Sequence, residues 1–411
     1  MERVPSEERN FTGVDYFLLW GGAAVSLAEI LAGGILAPLG VATGILVIVL
    51  GHIIGNTPLA LGGIIGSKEG VPTMVSTRPA FGSKGSYLPA FLNIVQLIGW
   101  TAIMLIICGQ AANYIMKAVL GVSHLRLLIL IAGVITTGWA VVGHKSWKWL
   151  QRISVTALLL LCIIMTYAVF KEGIPESIPT KTLSIALALD LVIAMPISWL
   201  PLVSDYSRYA KNTKSSFAGT WIGYFIVSSW MYALGLGATI YTGVADPVPM
   251  MVVLGLGIPA LLIVFLSTFT TTFLDVYSTA VSALNIFENL DERIGVIIGG
   301  ALGTGLALVF PMEQYEHFLL LIGSMFCPLF GVVLTDYFVI RKSYKNSVFT
   351  DRIINWKALL AWGIGFVVYR RLIPLNVGSS IPSMVIAAVV YWALTKILPP
   401  VVQWILAKVR S

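Results

Sequence analysis

Near the middle of the chain, inside a long apolar run, stands the stretch Ala194-Met-Pro-Ile-Ser-Trp-Leu-Pro201. Its two prolines remove two backbone donors and disfavour helical angles in the residues before them. Within a membrane, unpaired backbone is tolerated only where protein buries it or where it lines a wet cavity, and a proline-interrupted span is a typical pointer to a transporter's binding site. The stretch therefore predicts a broken membrane helix that forms one wall of such a site. A proline-kinked helix supported by its neighbours is the alternative.

The composition indicates an all-α polytopic membrane protein. Of the 411 residues, 57% are hydrophobic and only 11% are charged, with a mean hydropathy of +0.90. Soluble proteins average about 25% charged residues. At roughly 20 residues per span, this length predicts about twelve transmembrane helices in a single membrane transport domain over 1–411. The expected spans are 15–40, 41–64, 88–117, 125–143, 150–170, 184–207, 215–243, 252–285, 294–312, 315–340, 356–374 and 379–398.

The distribution of positive charge predicts the orientation of the chain. With residues 1–14 inside, most of the 26 lysines and arginines fall in the inner segments. The positive-inside rule then predicts an even number of spans and two cytoplasmic termini, including the tail 399–411. The charges of both signs before the first span do not resemble a cleavable signal peptide. The net charge of +7 follows from the same bias, so we expect the protein in the plasma or inner membrane, facing anionic lipid rather than nucleic acid.

Two carboxylates fall inside predicted spans. Glu29 lies in the first span, between two glycine pairs, and Asp275 lies in the eighth. Because a carboxylate near the middle of a membrane costs a few kcal/mol, such residues by default indicate a pathway or a ligand site. The alternative for Glu29 is a structural hydrogen bond to a neighbouring helix. The glycine pairs are also explained by close helix contact alone.

Aromatic and hydroxyl side chains mark two further spans. Gln96 and Trp100 of the third span lie four residues apart and therefore share a helix face. An indole beside an amide suits a flat heterocycle that forms hydrogen bonds, although both side chains would also pack between helices. The eighth span carries the dense hydroxyl run Ser267-Thr-Phe-Thr-Thr-Thr272. Hydroxyl and carbonyl oxygens are the ligands that sodium needs, whereas many membrane hydroxyls only bond back to the preceding turn.

A membrane enzyme and a channel are the competing classes. The four histidines fall in different segments without metal-binding or nucleophile spacing, which argues against an enzyme. Neither a repeated filter nor a ring of like residues points to a channel. The three cysteines stand singly in apolar runs, so we expect no disulfide framework and no metal cluster. No cofactor and no obligate protein partner are inferred.

Five motifs follow one another in order along the spans. They are Arg78-Pro-Ala-Phe-Gly-Ser-Lys-Gly-Ser86, the Gly99-Trp100 pair, the box Asp205-Tyr-Ser-Arg-Tyr209, the Thr270-Thr271 pair and Asp336-Tyr-Phe338. Together they resemble the nucleobase–cation symporter family of cytosine, hydantoin and related permeases. The resemblance implies a five-plus-five inverted repeat of the leucine-transporter type over residues 15–340. Its first and sixth helices would be broken, and two further helices would follow over 356–398.

The same resemblance implies the residues of a cation site and of a stacking site. The backbone carbonyls of Gly22, Val25 and Ser267 would bind sodium together with the hydroxyls of Thr270 and Thr271. Trp100 matches the stacking tryptophan of the family.

The chain departs from the family pattern at two other positions of the substrate site. The second stacking aromatic falls on Pro196, so we expect Trp199, next to Ser198, to replace it. The base-binding asparagine of the family is missing, and Asp275 stands near its place.

These departures indicate a substrate other than cytosine. An aminopyrimidine donates two hydrogen bonds to a carboxylate when it is protonated and one when it is neutral, which suits Glu29 and Asp275. The segments Trp20–Gly34 and Gln96–Ala102 resemble the branch of the family assigned to hydroxymethylpyrimidine, the thiamine precursor. We therefore expect a symporter that imports this pyrimidine by alternating access. Cytosine, another nucleobase or a hydantoin is the alternative substrate, and a proton is the alternative to sodium.

Overall fold

The computed structural model describes residues 3–142, 148–171, 173, 183–344 and 352–397, without the side chains of 148–152, 266–267 and 269–271. Helices dominate this part of the chain. They are α1 (Gly13–Ala24), α2 (Leu27–Ile35), α3 (Gly40–Glu69), α4 (Thr73–Ser76), α5 (Arg78–Phe81), α6 (Tyr87–Leu120), α7 (Leu125–Val142), α8 (Lys148–Phe170), α9 (Ile185–Trp199), α10 (Val203–Ser207), α11 (Thr213–Thr242), α12 (Pro247–Val253), α13 (Gly257–Ala283), α14 (Glu292–Ala307), α15 (Tyr315–Leu334), α16 (Trp356–Leu372) and α17 (Ser380–Lys396).

A helix lies within each of the twelve predicted spans. Among the described residues, eight helical runs are long and apolar enough to cross a membrane, or nine when α1 and α2 are taken as one bent span. The helix α17 is apolar but shorter. The number twelve and the inverted repeat stay predictions, and the predicted tail 399–411 lies outside the described residues.

The first span is broken between α1 and α2, which bend by 62° relative to each other. Val25 and Ser26 leave the helical conformation at the bend, and the Ser26 hydroxyl accepts a hydrogen bond from the Ala28 N–H at 3.2 Å. Such an N-cap replaces one of the bonds that a helix start lacks. The break agrees with the one that the family resemblance implies.

The sixth span does not break sharply at its prolines. The helix α9 continues through Pro196, a 3-10 turn follows at Leu200–Leu202, and 185–207 forms one span. The ring of Pro196 packs against α3 so closely that a Cβ on Gly55 would lie 2.5 Å from the proline Cγ. Pro201 stands in the first turn of the 3-10 segment, where no N–H is needed. The structure thus replaces the predicted break by a tightened turn that neighbouring helices support.

The long helices pack in two groups. One group contains α1, α2, α3, α9 and α11, and the other contains α6, α7, α13 and α14. The helices α15, α16 and α17 contact one another, and α15 also packs against α9. The break between α1 and α2 therefore lies inside the first group.

Glycines bring α2 close to α11. A Cβ on Gly235 would collide with the Ile30 carbonyl, and one on Gly33 would collide with the backbone of Tyr232. Small residues permit such close backbone contact between membrane helices. Gly33, in the second glycine pair, therefore permits close helix contact, which is the alternative explanation that the sequence left open for the glycine pairs. This contact places α2, which carries Glu29, directly against α11.

The polar segment between α3 and α6 folds as the short helices α4 and α5. The Thr73 N–H donates to the Asp205 carboxylate at 2.8 Å, and the Ser204 N–H donates to the Thr73 hydroxyl at 2.8 Å. On the other side of the segment, Arg341 donates to the Pro79 carbonyl at 3.1 Å. The segment is thus ordered and tied to α10 and to the end of the tenth span.

Candidate functional site

A cavity lies between the two helix groups, beside the break in the first span. Its walls come from α1, α2, α6, the end of α9 and α13. Five residues singled out from the sequence line it together: Glu29, Trp100, Ser198, Trp199 and Asp275. They are separated by up to 246 positions in the chain, so only the tertiary structure brings them to one site.

Sequence reasoning missed several lining residues. Ser26 lines the cavity from the break itself, and Met104 and Met195 add apolar surface. Ser26 was recognisable as a helix cap followed by an apolar run. Met195 belongs to the stretch predicted as a wall of the site, but neither methionine carried a signal of its own that separates a cavity wall from ordinary core, because any apolar residue at helical spacing looks the same in the sequence.

The two tryptophans of the cavity are held by edge contacts with other rings. Trp100 is 8% exposed and packs edge-on against Tyr315 and Phe318, with ring centroids 6.1 Å and 5.2 Å away. Trp199 packs edge-on against Trp20 at 6.0 Å. Edge-to-face packing fixes the plane of an aromatic ring. Both indoles are therefore pre-oriented components of the cavity wall.

Gln96 and Pro196 support the cavity from outside its lining. The Gln96 amide nitrogen donates to the Ser198 carbonyl and to the Asn93 side chain, each at 2.8 Å. Gln96 thereby joins α6 to the end of α9, and its own carbonyl oxygen is buried without a partner among the described residues. Pro196 points instead to Gly55 of α3.

Glu29 is 2% exposed and both of its oxygens accept hydrogen bonds from α11. The Tyr224 hydroxyl donates to Oε1 at 2.6 Å, and the Ser228 hydroxyl donates to Oε2 at 2.8 Å. Ser228 in turn lies 2.6 Å from Nε2 of His52. Glu29 thus forms hydrogen bonds to a neighbouring helix, as the alternative prediction for this residue stated, and it also lines the cavity.

Asp275 differs from Glu29 because no hydrogen-bond donor to its carboxylate is found among the described residues. It is 5% exposed, and within the described chain no side chain or N–H donates to its carboxylate oxygens. A buried carboxylate without donors is costly, and a ligand that supplies donors removes that cost. Asp275 is therefore the less satisfied of the two acidic residues.

The break in the first span leaves backbone carbonyls available for a cation. Val25 ends α1 and donates its N–H to the Gly21 carbonyl at 3.2 Å, so the following carbonyls, including those of Gly22 and Val25, lack helical partners. These two carbonyls fit the cation site that the resemblance implies. The predicted hydroxyl ligands, Thr270 and Thr271, lie outside the residues whose side chains are described, and Ser267, predicted as a carbonyl ligand, lies within α13.

The family and the fold agree with known membrane permeases. Residues 3–396 match the family model described as permease for cytosine/purines, uracil, thiamine, allantoin. The chain is 26% identical over 333 residues to the cytosine permease of Escherichia coli (strain K12), covering 78% of this chain and 76% of that protein. It is 24% identical over 339 residues to the hydantoin permease of Microbacterium maritypicum, covering 73% and 68%.

Two solved structures share the fold. The inward-facing conformation of Mhp1 superposes with a TM-score of 0.81 at 18% identity, covering 99% of this chain and 93% of that chain. Mhp1 in a closed conformation with bromovinylhydantoin bound, described as a nucleobase-cation-symport-1 family transporter, gives 0.81 at 21% identity, covering 95% and 93%.

The helical fold and the cavity beside a broken span define a multi-pass membrane transporter. The family match over nearly the whole chain then specifies which kind. The chain belongs to the family of permeases for cytosine and purines, uracil, thiamine and allantoin. Its place is thus among transporters and not among enzymes.

Proposed function

We propose that the protein is a cation-coupled symporter that imports a pyrimidine bearing an exocyclic amine, with hydroxymethylpyrimidine as the preferred candidate. One observation carries the proposal. Two tryptophans, Trp100 and Trp199, and two carboxylates, Glu29 and Asp275, line one cavity, and its described lining contains no lysine, arginine or histidine. Such a site complements a flat ring whose edge carries N–H donors.

The proposed role of Trp100 and Trp199 follows from the chemistry of the indole ring. Indole faces stack on heteroaromatic rings, and one such contact contributes about 1–3 kcal/mol in nucleic-acid complexes. Stacking alone does not distinguish one base from another, because every base presents a similar π-face. Selectivity must therefore come from the polar groups at the edge of the ring.

Asp275 is the preferred partner of the exocyclic amine. Its carboxylate has no donor in the part of the chain that the structure describes, whereas Glu29 already accepts from Tyr224 and Ser228. An amine that donates to Asp275 relieves the cost of a buried, unsatisfied acceptor. Glu29 would then share the ligand from the side of the broken span. Uracil and hydantoins place carbonyl oxygens next to their N–H groups, which repel a carboxylate.

The coupling ion is proposed to be sodium. The carbonyls at the end of α1, which lack a helical partner among the described residues, support this assignment, because hard oxygen ligands at an unwound helix are the usual sodium site of secondary transporters. A proton carried by Glu29 or Asp275 is the alternative, since buried acidic residues also serve as proton carriers in such proteins.

A thermal-shift panel on the purified full-length protein tests the substrate. Hydroxymethylpyrimidine, cytosine, adenine, uracil and hydantoin are compared with and without sodium. A ligand at 100 times its Kd adds roughly 2.7 kcal/mol to the free energy of unfolding. We expect hydroxymethylpyrimidine to raise the melting temperature most. Equal stabilisation by uracil or hydantoin would contradict the proposed specificity.

Counterflow in proteoliposomes tests the transport mode. Labelled pyrimidine should enter vesicles faster when unlabelled pyrimidine is present inside, because a carrier exchanges ligand without net flux. Uptake that ignores the internal ligand would indicate a channel.

A further inference from the structure

A buried chain of hydrogen bonds runs from the cavity into the protein behind Glu29. Glu29 Oε2 lies 2.8 Å from the Ser228 Oγ, which lies 2.6 Å from His52 Nε2. His52 Nδ1 lies 2.8 Å from the Ile48 carbonyl oxygen. The three side chains belong to α2, α11 and α3, and each of them is buried. Neither the proposed substrate contacts nor the cation site uses the Ser228 and His52 members of this chain.

The hydrogens of the chain are limited by what each atom is able to donate. A carbonyl oxygen only accepts, so His52 Nδ1 must carry a hydrogen. Ser228 has one hydrogen for two neighbours, Nε2 of His52 and Oε2 of Glu29. If His52 were neutral and Glu29 ionised, two acceptors would face that single hydrogen, and one contact would have none.

Two arrangements satisfy every contact. In the first, Glu29 is protonated and donates to Ser228, which donates to neutral His52. In the second, the imidazolium of His52 donates to Ser228, which donates to the Glu29 carboxylate. Both arrangements contain the same number of protons and have no net charge. They differ only in which end of the chain holds the proton.

The surroundings of the chain contain no competing cation in the described residues. Tyr232 packs edge-on against His52 at 5.0 Å, and its hydroxyl is buried without a partner in the described chain. Other polar groups lie on the helices that carry the chain, on helices packed against them or in the same cavity. They are Tyr224 at Glu29 Oε1, Tyr315 on the Ala28 carbonyl at 2.9 Å, Asp275 in the same cavity, and Asp190 of α9, which accepts from the N–H groups of Ser379 and Ser380.

The ionised form of Glu29 suits a forked donor. Each carboxylate oxygen accepts two hydrogen bonds, and Tyr224 and Ser228 occupy one position on each oxygen. One position per oxygen remains for a ligand. Two parallel N–H groups, as in an amidine or a protonated aminopyrimidine, match this pair in the way that Arg matches a carboxylate.

We propose that His52 takes up the Glu29 proton through Ser228 when a ligand with two parallel N–H donors binds, which makes His52 a positioning residue for substrate specificity. In this step the Glu29 O–H bond breaks and a new Ser228 O–H bond forms. The original Ser228 O–H bond breaks and a His52 Nε2–H bond forms. No proton leaves the protein. The inference deepens the proposed function and rests on it.

The test uses benzamidinium, a flat probe whose amidinium stays protonated near neutral pH. Its Kd is measured on the purified full-length protein between about pH 6 and pH 8. In the parent protein the Glu29 proton is retained on His52, so we expect a Kd that does not change with pH. In His52→Gln, binding must release that proton, and affinity should rise about tenfold per pH unit.

Two further variants keep the test informative if His52→Gln does not fold. Ser228→Ala interrupts the chain while both ends remain, and it should show the same pH slope and release of one proton per bound probe. Tyr232→Phe is the matched control, because it removes a hydroxyl without a described partner beside His52 and should keep the flat profile of the parent. Identical pH profiles in the parent and in both chain variants would overturn the inference.

The failure of this inference is distinguishable from failure of the proposed function. If hydroxymethylpyrimidine binds but benzamidinium does not, Glu29 does not accept a forked donor, and only the inference falls. If neither compound binds, the proposed function falls and the inference falls with it.

Discussion

At the scale of single residues, two carboxylates that look alike in the sequence have different environments. Glu29 accepts two hydrogen bonds from α11, whereas the carboxylate of Asp275 accepts none from the described part of the chain. The sequence predicted both as functional candidates, and both line the cavity. This difference depends on which helices face each carboxylate. We therefore propose Asp275 as the direct partner of the exocyclic amine and Glu29 as a second contact that shares the ligand.

Replacing Trp100 tests the stacking platform. Trp100→Ala should weaken ligand binding by about 1–3 kcal/mol, because it removes one stacked face, while the protein stays folded. Equilibrium binding of hydroxymethylpyrimidine measures the effect. Trp356→Ala is the control, since Trp356 is 70% exposed and is not among the described residues that line the cavity. Unchanged affinity in Trp100→Ala would remove Trp100 from the site.

Amide substitutions separate the two acidic residues. Asp275→Asn places an NH₂ group where an acceptor is needed, so affinity for an aminopyrimidine should fall by a few kcal/mol with little loss of stability. Glu29→Gln should lower affinity but leave the melting temperature nearly unchanged, because its NH₂ group donates to the Ser228 hydroxyl as a protonated Glu29 would, and its carbonyl oxygen still accepts from Tyr224. Asp275→Asn binding as tightly as the parent would sink the Asp275 assignment.

At the scale of helices, the break in the first span provides the polar backbone of the site. The bend of 62° exposes carbonyls at the end of α1 and places Ser26 on the cavity wall. The sixth span, in contrast, passes its first proline as a helix because α3 packs against the proline ring. Prolines alone therefore do not decide where a membrane helix opens.

The hydroxyls of α13 are tested by a double substitution. If Thr270 and Thr271 bind sodium, replacing both by Ala should abolish sodium stimulation of ligand binding. Because coupling is reciprocal, ligand should then also lose its effect on sodium affinity. Binding titrations with and without sodium measure both quantities. Binding by the parent that ignores sodium but follows a pH gradient would favour a proton instead.

The glycine contact between α2 and α11 predicts a stability effect. Gly235→Ala adds a Cβ that collides with the Ile30 carbonyl, so α2 must shift, and stability should fall by about 1–3 kcal/mol. Gly305→Ala in α14 is the control, because its Cβ would meet no atom within 4 Å. Thermal unfolding compares the two. Equal melting temperatures would show that the helices tolerate separation here.

At the scale of the whole molecule, the segment between α3 and α6 links distant parts of the chain on one side of the membrane. It bonds to Asp205 after the sixth span, to Arg341 at the end of the tenth span and to Asn355 before α16, whose side chain donates to the Ala80 carbonyl at 2.6 Å. The alternating access expected of the proposed symporter would require such links to form and break as the cavity opens to each side.

Breaking one link should favour opening on that side. Asp205→Ala removes the acceptor for the Thr73 N–H, so a cysteine at Ala23 in the cavity wall should react faster with an impermeant maleimide applied from the side of this segment. Asp291→Ala is the control, since Asp291 caps only its own helix. No change in labelling rate would mean that the Asp205 contact does not control access.

The sequence by itself determined the membrane class, a helix within each predicted span, the family and five of the twelve residues that line the cavity. Hydrophobic composition and span length are properties of each segment alone, so they do not depend on how the helices pack. The motifs from Arg78 to Phe338 indicated the family because their order along the chain is itself sequence information.

Only the tertiary structure decided which residues meet and how their hydrogen bonds are satisfied. Helical spacing could not show that Gln96 and Pro196 support the cavity from behind, or that α3 holds the sixth span helical at Pro196. Nor could it show that Ser228 and His52 stand behind Glu29, because they come from three separate helices. Burial and hydrogen bonding between distant residues depend on how closely helix backbones approach each other. Glycines such as Gly33 and Gly235 permit a close approach, but the sequence of one helix does not specify which other helix it contacts.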